Sequence, residues 1–136
     1  MSDDFTERLH NPKFEIVEQH FGHPVPAALR QLHANHQELD QRDFTVTVGA
    51  NAKQWYVGDY TPIDANSVQF FPGFERFLDI ANDASEGSYF VDPTQADPEV
   101  FYFDMESYEL TPCGCTLSEF LTAPRREGYP DDDEAE

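Results

Sequence analysis

Basic side chains are scarce in this sequence: eight Lys and Arg stand against 27 Asp and Glu, a formal net charge of −19 at pH 7. A field of that sign repels phosphate backbones and anionic lipid and draws in basic proteins. Nucleic acid and membrane surfaces are therefore poor partners, whereas a nucleic-acid-binding protein is a good one. Cysteine is nearly absent as well. Cys113 and Cys115 stand one residue apart, a span too short for an ordinary unstrained disulfide and without the second pair of a metal finger. A disulfide framework is excluded. No stretch approaches the roughly 20 continuous apolar residues that cross a bilayer. The start, Met1-Ser2-Asp3-Asp4, has neither a basic nor an apolar leader region, so the expected location is cytoplasmic. Phosphate loops, nucleophile elbows, dinucleotide fingerprints and calcium loops of EF-hand spacing are also missing, and no cofactor is expected.

What the chain has in quantity is aromatic surface: twelve Phe, six Tyr and one Trp among 136 residues. Aromatic side chains bury large areas, so they offset the conformational entropy of ordering a small domain. The length suits one domain and one core. The acidic excess is not confined to the C-terminal run 131–136. Between Val57 and Pro124 thirteen carboxylates face a single base, Arg76.

Residues 1–12 show no clear period and read as a frayed arm, followed by one domain over 13–124 and a disordered acidic tail over 125–136. Phe14, Val17 and Phe21 share one face of a short helix that Gly22 can close. Pro26 starts a second helix through Ala27–Leu32 that ends near Asn35. Phe44, Val46 and Val48 alternate with two threonines as in a half-buried strand. Gln54–Val57 is β-like, with Trp55 expected in the core. The stretch from Glu75 to Asn82, holding Phe77, Leu78 and Ile80, reads as a strand. Ser88–Asp92 and Glu99–Asp104 read as two more, paired antiparallel. Thr116-Leu117-Ser118-Glu119 has the form of a capping box opening a last helix that Pro124 ends.

Several residues invite sharper readings. Asp104 and Glu106 leave one strand end and resemble an acid and base pair, but such pairs work only where a pocket separates their pKa values; solvated strand ends are expected, and no catalytic residue is assigned. His33 and His36 sit three apart, within reach of one metal ion. No third ligand of clear register joins them, so no metal site is assigned and an exposed, titrating face is expected. Cys113 and Cys115 precede the capping box as small residues, with Cys115 placed to pack against Phe120.

Four segments in series carry a resemblance: Phe77-Leu78-Asp79-Ile80-Ala81-Asn82-Asp83, Gly87-Ser88-Tyr89-Phe90-Val91-Asp92, Val100-Phe101-Tyr102-Phe103-Asp104-Met105-Glu106 and Leu117-Ser118-Glu119-Phe120-Leu121. In order and spacing they resemble the SMI1/KNR4 (SUKH) family. Upstream, Phe21-Gly22, Val25-Pro26 and Leu29 are similar to that family's first helix, glycine stop and proline restart. The resemblance implies an α+β fold, an antiparallel-rich sheet of about four to six strands flanked by N-terminal and C-terminal helices, with no catalytic constellation. It further implies a protein-binding module: an immunity protein that neutralises a basic, nuclease-type toxin domain, or alternatively a housekeeping adaptor of the same fold. A monomer or weak dimer is expected. From charge and expected exposure, and not from family sites, the contact residues are Asp83, Glu86, Asp97, Glu99, Asp104 and Glu106.

Overall fold

A computed structural model describes residues 3–49, 52–64, 68, 77–85 and 87–128. Four helices come first: α1 (Asp3–His10), α2 (Phe14–Phe21), α3 (Ala27–Ala34) and the single turn α4 (His36–Leu39). Strands β1 (Phe44–Val48), β2 (Lys53–Val57), β3 (Asp59–Tyr60), β4 (Leu78–Asn82), β5 (Gly87–Val91), β6 (Glu99–Asp104) and β7 (Glu109–Thr116) follow, then α5 (Leu117–Thr122) and β8 (Arg125–Glu127). They form a three-stranded sheet, β2-β1-β8, and a five-stranded sheet, β3-β4-β5-β6-β7. Every described pairing is antiparallel. The fold is α+β with antiparallel sheets, as expected.

Local chemistry accounts for most boundaries. Gly22 closes α2 in the left-handed region, φ 69°, its amide donating to the Glu18 carbonyl, a conformation that costs a residue with a Cβ about 1 kcal/mol. Asn35 caps α4 by accepting the Glu38 amide. The capping box of α5 is complete: Thr116 accepts the Glu119 amide while the Glu119 side chain takes the Thr116 amide. Replacing such a cap by Ala typically costs about 1 kcal/mol.

The five-stranded sheet is buried on both faces. On one, Leu78, Ile80, Tyr89, Val91 and Val100 join Val46, Trp55, Leu117 and Phe120 in the main core. Strand alternation sends Phe90 and Phe103 to the other, where they stack with Phe77 in a separate cluster flanked by Phe101 and Leu110. Trp55 lies in the core, 7% exposed.

Three expectations need correction. Residues 3–10 are helical, not a frayed arm: Leu9 is buried, and Arg8 donates from Nε and Nη2 to Asp64 at 3.0 and 2.9 Å. Leu9 anchors the helix in the core, and the Arg8–Asp64 and His10–Asp40 contacts tie its end to neighbouring elements far away in sequence. The domain also continues beyond residue 124. Arg125 pairs with Val46 in β8, and the Thr45 hydroxyl donates to the Gly128 carbonyl; only residues 129–136 of the expected tail lie outside the described residues. Finally, His33 is buried at 3% exposure and not on a titrating face, because α1 and α2 cover that side of α3.

Candidate functional site

Among the described residues, the β6–β7 turn is the most exposed apolar feature. Met105 and Tyr108, 44% and 53% exposed, are the large hydrophobic side chains left in solvent among the described residues. The turn that displays them is built by Asp104: its carboxylate accepts the Glu106 amide at 3.0 Å and its carbonyl the Tyr108 amide at 2.7 Å. Tyr108 adopts φ 62°, a left-handed conformation that costs an aromatic residue roughly 1 kcal/mol or more. Its ring meets Phe103 edge-on at 5.2 Å, which holds the tip against the aromatic cluster behind it.

The β4–β5 turn lies beside this tip, since Gly87 pairs with Asp104. Asp83 organises it, accepting the Ser85 and Gly87 amides at 2.9 Å with one oxygen and the Tyr102 hydroxyl at 2.5 Å with the other. Burial and that bond together push the Tyr102 phenol above its usual range. A Cβ on Gly87 would stand 2.1 Å from the Tyr102 oxygen, so glycine is what lets the tyrosine reach Asp83.

The structure therefore divides the six expected contact residues. Asp83, Asp104 and Glu106 gather at one end of the five-stranded sheet, joined by Glu109 opposite Asp104. Asp97 and Glu99 lie at the far end of β6, about 17 Å away at roughly 3.3 Å per residue. Asp97 has a structural task there: it accepts the Ser118 hydroxyl at 2.6 Å and the Ser118 amide at 2.9 Å, bonds that hold its carboxyl below the usual range. Glu99 is exposed at the strand start. Glu86 lies outside the described residues. Sequence reading missed Met105, Tyr108 and Glu109. The available signal was two large apolar residues set in a short acidic turn that has nothing to bury.

Other reactive groups are placed structurally. Cys113 and Cys115 are free, buried on one face of β7, and desolvation raises both thiols, Cys115 to about 11; neither is a thiolate at neutral pH. His10 stacks on His36 with ring centroids 3.9 Å apart and contacts Asp40 at 2.7 Å. No group of three or more His, Cys, Asp or Glu is arranged to hold a metal among the described residues. Burial pushes His33 down to about 4, an effect that the neighbouring Leu9 backbone opposes only in part, since neither ring nitrogen meets it in full hydrogen-bond geometry. Asp79 shares the Phe90 face of the sheet, where desolvation raises its carboxyl to about 7 against bonds from the Thr61 hydroxyl and the Ala81 amide. No helix among the described residues is long and apolar enough to cross a membrane. Compared with protein-family models, curated proteins and solved structures, the chain matches none.

Proposed function

We propose that this chain is a non-catalytic protein-binding module that uses the β6–β7 tip and the neighbouring Asp83 turn to hold a basic partner, in the manner of an immunity protein blocking a basic toxin domain. One observation carries the reading: the exposed Met105 and Tyr108 stand on the same tip as Asp104, Glu106 and Glu109. An aromatic anchor that fills a notch while carboxylates meet a cationic rim is the arrangement of an interface hot spot. The net charge of −19 supports the sign of the partner, because long-range fields of opposite sign raise association rates. The resemblance to the SMI1/KNR4 family supports the class. Glu106 is exposed and Asp104 half-buried on this turn, and carboxylates so placed at a strand end favour binding over acid–base chemistry.

The test is a capture experiment with tagged protein, from lysate of the source organism, at low and at high salt, with partners identified by mass spectrometry. The expected partner is a basic protein, enriched at low salt, weakened by salt, and lost with the double substitution Met105→Ala, Tyr108→Ala. Purified, the two proteins should bind with the same salt dependence, and a toxin reading frame beside the gene would specify the immunity role. A partner held equally by the double variant and insensitive to salt would refute the tip as the interface.

A further inference from the structure

On a different surface, α3, α4, α5 and β8 enclose an open cavity of about 540 Å3. That falls in the range of small-molecule sites, roughly 300–1,000 Å3. Its wall combines the amides of Gln31, Asn35 and Gln41 with apolar patches from Leu32 and Leu121, and two opposite charges, Arg125 and Glu38, line it together.

Arg125 is held rigidly. Its Nη1 donates to Gln41 at 2.9 Å and to the Tyr60 oxygen at 3.1 Å, its Nη2 to the Leu121 carbonyl at 2.8 Å, and the Phe44 ring centroid lies 4.7 Å from Cζ. A guanidinium carries five N–H donors. Those bonds leave two donors, the Nε–H and one Nη2–H. Its side chain is 17% exposed and thus largely desolvated. Glu38 stands 3.9 Å from Nη1, beyond hydrogen-bond reach, so the pair is loose and the carboxylate keeps capacity for another donor.

We propose that this cavity binds a free α-amino acid, its carboxylate on the remaining donors of Arg125 and its ammonium on Glu38. The opposed pair selects for a zwitterion. A simple anion would meet Glu38 and the acidic field of the whole chain; a simple cation would meet Arg125. A zwitterion carries no net charge, satisfies both groups, and leaves its side chain for Leu32 and Leu121. Because the guanidinium is already fixed by Gln41, Tyr60 and Leu121, little ordering accompanies binding. The proposal is independent of the protein-binding tip, no residue of which lines this cavity.

Amide NMR spectra of the full chain, titrated with individual proteinogenic amino acids up to about 10 mM, test it. At least one should cause saturable shifts at Asn35, Glu38, Gln41 and Ser118. Its N-acetyl form lacks the ammonium and its α-amide form lacks the carboxylate; each should bind about tenfold more weakly or worse, the loss of one charged hydrogen bond. Arg125 also clamps β8, so the decisive variant is Glu38→Gln at the exposed member, which should weaken binding similarly while the melting temperature is unchanged. The absence of a saturable shift with any amino acid, equal binding of the capped forms, or unaltered affinity in Glu38→Gln would overturn the proposal.

Discussion

Asn in place of Asp79 should stabilise this protein at alkaline pH and do little at pH 4. Asp79 accepts the Thr61 hydroxyl at 2.9 Å, yet desolvation on the aromatic face of the sheet lifts its carboxyl from 3.8 to about 7. The folded chain therefore holds a proton that the unfolded chain releases above about 3.8. Stability is undiminished below that point and falls as pH rises, with the full loss reached above about 7. At about 1.36 kcal/mol per pH unit the interval corresponds to about 4 kcal/mol, an upper figure because Asp79 keeps partial solvent access and relaxation around the carboxylate reduces it further. Burial pushes His33 the other way, from 6.5 to about 4, so its contribution is intact above 6.5 and is lost as pH falls toward 4, by about 3 kcal/mol. Across pH 4–8 the two losses offset each other, and with respect to these groups the wild-type protein should show a nearly level stability profile. Asp79→Asn removes one slope. Urea unfolding at pH 4, 6 and 8 should then show the variant gaining on the wild type by several kcal/mol as pH rises. A difference between the two proteins that does not change with pH would refute the burial argument.

His33→Leu should expose the opposite slope: the variant gains on the wild type as pH falls from 6.5 to 4, read as a rising difference in urea midpoint, because the buried imidazole that resists protonation in the core is gone. Tyr108→Gly should separate folding from binding. Relief of φ 62° and loss of the edge-on contact with Phe103 act in opposite directions, so fold stability should change by no more than about 1 kcal/mol, while affinity for the basic partner falls at least tenfold, as expected on removing an anchor worth about 2 kcal/mol; thermal melts and calorimetry on the same sample decide both.

The elements that sequence made legible are those whose signal is local. The glycine stop at Gly22, the capping box at Thr116 and the alternation of Phe44, Val46 and Val48 each follow from a few neighbouring residues, and each forms as expected. What was not legible depends on distant partners. Helix α1 offers only the one-turn spacing of Phe5 and Leu9 as a local signal, and is held by Asp64, Asp40 and the core around Leu9. Strand β8 is three residues long and exists because Val46 and Thr45 receive it. The candidate site shows the same division. Charge drew attention to Asp83, Asp104 and Glu106, whereas strand register decided that they share one end of the sheet and that Asp97 and Glu99 do not. Nor was it legible that Asp83 and Asp97 are committed to internal bonds, since their donors, Tyr102 and Ser118, are 19 and 21 residues away.

The placement of β8 has a consequence for how the chain acquires its structure. Strand β1 begins at Phe44, yet one of its two neighbours consists of Arg125–Glu127, and Thr45 bonds across 83 residues to Gly128. Until those residues leave the ribosome, that edge of β1 is an unpaired ladder, open to pairing with another chain. Closing so long a loop is also slow compared with forming the local hairpins of β5, β6 and β7. Chains ending before Arg125 would therefore present an aggregation-prone strand edge, and the synthesis of residues 125–128 is the step that seals it.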